Sequence, residues 1–109
     1  MEVRPRTIES YRTQGPNVRR PFEDWIDGLK DIQAVGIILN RLDRVEMGNL
    51  GEHGSVGSGV FELIIDFGPS YRVYYGEDHD NVVLLLGGTK KTQSQDIVKA
   101  KEYWRDYNA

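Results

Sequence analysis

Apolar residues recur at helical spacing through two neighbouring stretches in the first half of the chain. In the first stretch, which follows Pro21, the apolar residues fall at i, i+3, i+4 and i+7. In the second stretch, from Ile32 to Met47, apolar residues recur with the same period. Gly28 and Asp31 separate the two stretches, so we expect Asp31 to cap the second helix. The pattern predicts two short amphipathic helices joined as a helical hairpin near the N-terminus.

Alternating and continuous apolar runs elsewhere predict β-strands. Residues 6–12 alternate β-prone side chains and end at the turn-forming residues 14–17. Three further strands are predicted at residues 60–67, 71–76 and 82–86, each bounded by turn residues. Because the third of these is apolar throughout, we expect it at the centre of the sheet.

Two remaining segments complete the predicted architecture. Residues 48–59 carry glycine at almost every third position and no proline, which predicts a flexible loop. Residues 97–107 contain an apolar helical stripe, with Thr92 or Ser94 as the N-cap. The sequence therefore predicts an α+β fold with a small antiparallel sheet of about four strands, an N-terminal helical hairpin and a C-terminal helix.

Length and composition limit the possibilities further. A chain of 109 residues predicts a single domain over residues 1–109. The absence of cysteine excludes disulfides and thiolate chemistry. No uncharged apolar run is long enough to span a bilayer, and the charged N-terminus lacks an apolar core, so we expect a cytoplasmic protein without membrane contact. Two histidines without ligand spacing, and no phosphate-binding glycine loop, predict no metal and no cofactor.

Charge is distributed unevenly along the chain. The net charge of −3 argues against binding of nucleic acid over the whole surface. The first twenty residues, however, hold five arginines and only two acidic residues. Arg19 and Arg20 are therefore candidates for contacts with RNA phosphates.

Six short segments, in order and at close spacing, resemble one known family. They are Phe22 to Ile26, Arg41 to Arg44, Gly48 to Gly51, Gly59 to Leu63, Gly68 to Tyr75 and Gly87 to Gln93. Over about residues 22–104 the chain resembles the RelE/ParE toxin superfamily, and more closely its HigB-like branch of addiction module killer proteins.

This resemblance implies a function as well as a RelE-like fold. It implies the toxin of a type II toxin-antitoxin system, neutralised by a cognate protein antitoxin that we expect to be a helix-turn-helix protein. It further implies a ribosome-dependent, metal-free endoribonuclease that cuts messenger RNA, an mRNA interferase. Its partners would then be the ribosome and mRNA.

Metal-free RNA cleavage needs an activated 2′-hydroxyl, cations beside the phosphorus and a proton for the leaving oxygen. Arg72 is the strongest candidate, because a guanidinium matches phosphate oxygens and the resemblance puts the family's sheet-borne arginine there. The alternative for Arg72 is a cross-strand ion pair with Glu62 or Asp66. Lys90 is a candidate phosphate clamp or proton donor. Glu62 and His53 are candidate proton acceptors, His53 partly because relatives use a histidine in this region.

Five further residues are candidates for binding the substrate. They are Lys91, Gln93, Tyr74, Arg19 and Arg20. Tyr74 shares one face of its predicted strand with Arg72, so an RNA base could stack on its ring. Core packing is the competing explanation for Tyr74, and solvation is the competing explanation for Lys91.

Two positions keep alternative functions open. Ile64 stands where the resembling proteins usually carry an arginine, and Thr89 stands where they usually carry an acidic residue. The first alternative is therefore a catalytically weakened, toxin-like binding module that acts through its antitoxin. The second alternative, inhibition of DNA gyrase, follows only from membership of the superfamily.

Overall fold

Five strands and three α-helices lie within residues 4–109, the part of the chain that the computed structural model describes. The first three positions of the predicted domain, Glu2 among them, lie outside the described residues. The elements in chain order are β1 (Thr7–Ser10), α1 (Pro21–Asp27), α2 (Ile32–Glu46), β2 (His53–Gly57), β3 (Val60–Ile65), β4 (Tyr71–Asp78), β5 (Asn81–Thr89), a 3-10 turn (Lys90–Thr92) and α3 (Gln93–Tyr107).

The strands form one mixed sheet in the order β1-β5-β4-β3-β2. All neighbouring pairs are antiparallel except β1 and β5, which are parallel and place Thr7 opposite Asn81. The α+β class and the C-terminal helix are confirmed. The expectation that the apolar strand β5 lies at the centre of the sheet is wrong, because β4 occupies the centre and β5 lies between β4 and β1.

The prediction of about four strands is wrong, because the glycine-rich segment contains β2. Residues His53 to Gly57 pair with β3, and the two strands join through Gly57, Ser58 and Gly59, whose φ angles are 95°, 57° and 80°. Glycine tolerates such angles without a steric penalty. Frequent glycine here builds a tight hairpin, not a flexible loop.

A buried arginine holds the loop that leads into β2. Arg41 is 7% exposed, and its Nε donates to the carbonyl of Leu50 at 2.9 Å. Its Nη1 donates to the carbonyl of Ile64 at 2.9 Å, and its Nη2 donates to the carbonyl of Glu52. Burial lowers the pKa of Arg41, yet each of its terminal nitrogens has a backbone acceptor. The side chain therefore ties α2 to the loop and to β3.

The predicted N-terminal helical hairpin is also wrong. The helix bounds are close to those expected, and Asp31 caps α2 by accepting a hydrogen bond from the Ala34 N–H at 3.2 Å. However, α1 and α2 both bury their apolar faces against the same side of the sheet, in one core with residues of β3, β4 and β5. The sheet supplies a larger apolar surface than either helix offers the other, so it determines where the helices pack.

The opposite side of the sheet is covered by α3. Its Ala100 lies in a second core with Tyr74 and Leu85. Trp104 of α3 lies directly on Gly76 of β4, where a Cβ would overlap the indole ring. No helix within residues 4–109 is long and apolar enough to cross a bilayer.

Candidate functional site

Arg72 and Glu62 form an ion pair on the α3 side of the sheet. Glu62 is opposite Tyr74 and Ile64 is opposite Arg72, so Glu62 and Arg72 are diagonal neighbours on one face. Arg72 Nε lies 3.5 Å from Glu62 Oε1, and the two side chains are only 9% and 12% exposed. Of the two carboxylates considered as partners for Arg72, Glu62 is therefore the one in contact.

Three further contacts fix this pair at the end of the sheet. Gln93, the first residue of α3, donates from Nε2 to Glu62 Oε1 at 2.9 Å. Arg72 Nη1 donates to Ser70 Oγ at 2.6 Å. The backbone N–H of Lys90 donates to the Ser70 carbonyl at 2.8 Å. Lys90 therefore begins its turn beside the segment that carries Arg72, and we call Glu62, Ser70, Arg72, Gln93 and Asp96 the sheet-end cluster.

Asp96 belongs to this cluster because α3 comes very close to β5. Its Oδ2 accepts a hydrogen bond from Thr92 Oγ1 at 2.5 Å and lies against the backbone of Gly88. Gly88 is opposite Arg72 in the sheet register. The Asp96 carboxylate is thus held over the strand next to Arg72.

Tyr74 lies beneath the cluster and is fully buried. Its hydroxyl has no hydrogen-bond partner among the described residues. Burial, followed by the nearby Asp96 and Glu62 carboxylates, raises the pKa of Tyr74. A ring in this position is not accessible to an RNA base, so the predicted stacking on Tyr74 is wrong, and core packing explains the residue.

The other predicted residues fall into two groups. Lys90 and Lys91 are exposed on the 3-10 turn at the same end of the molecule as the cluster. His53 is opposite Leu63, so it faces the α1 and α2 side of the sheet, and its ring Nδ1 donates to the Gly51 carbonyl at 2.7 Å. The sheet therefore separates His53 from Glu62 and Arg72.

Arg19 and Arg20 make none of the contacts of the sheet-end cluster that the structure describes. Both are exposed on the segment that precedes α1, and α1 packs on the side opposite α3. Arg20 Nε lies 3.8 Å from Glu23 Oε2. Both arginines line a concave surface that also carries Glu23, Asp24 and Asp27, so their surroundings are mixed in charge.

Sequence reasoning missed Ser70, Thr92, Gly88 and Asp96. Two signals were available for them. Thr92 and Asp96 are four residues apart, which is the spacing of facing side chains at the start of a helix. For Ser70 the sequence signal is the preceding Gly-Pro pair, which marks a turn. The structure adds a φ of 65°, an unusual backbone angle for a non-glycine residue and one that is enriched near functional sites.

The cluster combines one guanidinium, two carboxylates and an amide, with two ammonium groups on the adjoining turn. This set can bind an oxyanion and accept a proton from a hydroxyl. Within residues 4–109, no group of three or more His, Asp or Glu side chains converges in a way that could hold a metal ion.

Comparison with known proteins gives one clear relationship. No family model matches the chain, and no solved structure matches it. A protein of Haemophilus influenzae strain Rd, described only as an uncharacterized protein, is 44% identical over 81 residues, which are 73% of this chain and 82% of that protein. At this identity and coverage, the chain belongs to the same family as the Haemophilus influenzae protein.

Proposed function

We propose that the protein is the toxin of a type II toxin-antitoxin system, with a RelE-like fold, and that it cleaves mRNA on the ribosome without a metal ion. The observation that carries this proposal is the contact between Arg72 and Glu62 at the end of the sheet, beside the Lys90 turn. A cation for the phosphate and a proton acceptor for the 2′-hydroxyl are then neighbours.

The roles follow from the chemistry of each group. Glu62 accepts the proton of the 2′-hydroxyl, whose oxygen attacks the adjacent phosphorus while the bond to the 5′-oxygen breaks. Arg72 stabilises the charge that develops on the phosphate oxygens. Lys90 supplies a second cation and the proton for the 5′-oxygen. Since Arg72 is 7% exposed, the phosphate reaches it by replacing part of its contact with Glu62.

Partners and location belong to the same proposal. The protein acts in the cytoplasm, binds the ribosome and mRNA, and is neutralised by a cognate helix-turn-helix antitoxin. Arg19 and Arg20 are exposed on the segment before α1 and contact ribosomal RNA phosphates.

Expression in a bacterium without antitoxin tests the proposal. Wild-type protein arrests growth and cuts mRNA in a translating extract, whereas Arg72→Ala does neither. Because Arg72 is buried, Arg72→Lys is tested beside it to keep the charge while losing the planar fork. Arg12→Ala, at an exposed position, is the control and remains toxic. An Arg72→Lys protein that folds and is as toxic as wild type contradicts the proposal.

A second candidate is a toxin-like binding module without cleavage activity. The burial of Arg72 and its contacts with Glu62 and Ser70 favour this candidate, since they leave little of the guanidinium for RNA. Protein that neither arrests growth nor cuts mRNA, but binds the product of the adjoining gene tightly, decides for it.

A further inference from the structure

A concave surface lies at the C-terminal end of α3. It is a pocket of about 330 Å³ lined by Ser58, Lys101, Trp104, Arg105 and Asn108, which we call the α3 pocket. Ser58 comes from the tip of the β2–β3 hairpin, and the other four residues come from α3 and its C-terminal end. None of the five is acidic, although the chain as a whole carries a net charge of −3.

Among residues 4–109, the two cations of this pocket have no carboxylate partner. Lys101 and Arg105 are four residues apart on α3, so they lie on one face of the helix. Within residues 4–109, neither forms an ion pair, whereas Lys99 on the same helix lies 3.4 Å from Glu102. The ammonium of Lys101 is held close to Gly57, where a Cβ would lie 3.3 Å from Nζ.

The wall of the pocket is rigid. Trp104 lies on Gly76 and close to Gly59, and its ring stacks on Tyr107 with centroids 5.2 Å apart and planes 7° from parallel. A fixed indole beside two cations, a hydroxyl and an amide forms a set of donors suited to an oxyanion. Proteins that bind single-stranded nucleic acids use surfaces of this kind, in which cationic side chains contact the backbone and aromatic rings stack on the bases.

We propose that the α3 pocket binds a backbone phosphate of single-stranded RNA, as a second contact site outside the sheet-end cluster. Gln93 begins α3 within the cluster, and Lys101 and Arg105 follow eight and twelve residues later. At 1.5 Å per residue, they lie about 12 to 18 Å further along the helix. One extended RNA strand can therefore contact both ends of α3. This inference rests on the proposed function for its substrate class.

The test measures RNA binding, not toxicity. A fluorescent 2′-O-methyl RNA dodecamer, which cannot be cut, is titrated with purified protein at several salt concentrations. Lys101→Gln/Arg105→Gln is expected to bind about tenfold more weakly at low salt. The slope of log affinity against log salt concentration should be smaller by about 0.7, the contribution of one phosphate contact on a single strand.

A matched control variant exists on the other side of the sheet. Lys30→Gln/Arg44→Gln removes one lysine and one arginine, both exposed and away from α3, and is expected to bind like wild type. Arg105→Glu provides a second test, and this substitution should not disturb folding because Arg105 is exposed. Circular dichroism checks that every variant is folded.

The outcomes separate this inference from the proposed function. The inference is overturned if Lys101→Gln/Arg105→Gln and Arg105→Glu both bind RNA with the affinity and salt dependence of the wild-type protein. It is also overturned if Lys30→Gln/Arg44→Gln weakens RNA binding as much as Lys101→Gln/Arg105→Gln does. Lack of RNA binding by the wild-type protein overturns it too. Continued toxicity of a folded Arg72→Lys variant affects only the proposed cleavage, because the dodecamer measures binding at the pocket independently.

Discussion

The carboxylate of Asp96 lies directly against the α-carbon of Gly88, with no room between them for a side chain. We expect Gly88→Ala to push α3 away from β5 and to lower the free energy of unfolding by about 1–3 kcal/mol, the usual cost of overpacking. Urea denaturation measures this change. Gly54→Ala is the control, since a Cβ there meets nothing within 4 Å, and its stability should stay near that of wild type.

Removal of the Tyr74 hydroxyl should stabilise the protein. That hydroxyl is buried and has no hydrogen-bond partner in the part of the chain that the structure describes, and an unsatisfied buried polar group costs about 1–3 kcal/mol. Tyr74→Phe is therefore expected to raise the free energy of unfolding by about 1 kcal/mol. Tyr11→Phe should have the opposite effect, because the Tyr11 hydroxyl donates to Asp106 Oδ2 at 2.6 Å. Equal effects of the two substitutions in urea denaturation would contradict this explanation.

Stability should fall at alkaline pH. Burial, and then the Glu77 carboxylate, raises the pKa of Tyr75 to about 12 from the ordinary value of 10.0. Between these values the unfolded chain releases the proton while the folded chain retains it, so the stabilising contribution is complete below pH 10 and is lost as the pH rises towards 12. The slope for one proton is about 1.4 kcal/mol per pH unit.

Unfolding by urea at pH 9, 10 and 11 checks the alkaline loss of stability. Tyr75→Phe should make the fall with pH shallower by one proton, because it removes the titrating group. A variant with the same pH dependence as wild type would show that other tyrosines account for the whole effect.

Arg41 should be essential for the loop before β2. Arg41→Met keeps much of the apolar stem but leaves the carbonyls of Leu50, Glu52 and Ile64 without their donor. We expect a loss of about 3 kcal/mol, since hydrogen bonds to charged groups contribute about 1.5–3 kcal/mol each and do not add fully. Arg44→Met, at an exposed position of the same helix, should change the midpoint of thermal unfolding little.

Glu62 and His53 can be separated as proton acceptors. Under the proposed function, Glu62→Gln keeps an oxygen for Gln93 but cannot accept the proton, so mRNA cleavage should slow by about 100-fold or more. His53→Gln should cleave like wild type, because His53 lies on the other side of the sheet. Cleavage rates in a translating extract measure both, and a larger loss in His53→Gln would refute the assignment.

Local patterns predicted the elements better than they predicted the packing. The period of apolar residues located α2 almost to the residue, and the Asp31 cap is confirmed by its hydrogen bond. The same pattern cannot show which surface a helix covers. It therefore predicts a hairpin of α1 and α2, although both helices pack on the sheet. Glycine content likewise obscured β2, since apolar periodicity gives little signal in a five-residue strand that contains two glycines.

Local patterns likewise predict some contacts of the candidate site and not others. Alternation along β3 and β4 correctly indicates that Glu62 and Arg72 share a face. The burial of Tyr74 and the proximity of Asp96 to Gly88 depend on where α3 lies, which no local pattern encodes. The face on which His53 lies depends on the register of β2. Since the sequence predicts no strand there, it cannot show that His53 and Arg72 are on different sides of the sheet.

The parallel pairing of β1 with β5 joins positions more than seventy residues apart, as Thr7 opposite Asn81 shows. During synthesis, residues 7–10 therefore have no strand to pair with until residues 81–84 have left the ribosome. Pairing across such a separation closes a long loop and slows folding. The edge strand β1 joins the sheet only after β5 has been synthesised, so a chain interrupted before β5 lacks both the β4–β5 pair that includes Arg72 and Gly88 and the β1–β5 pair.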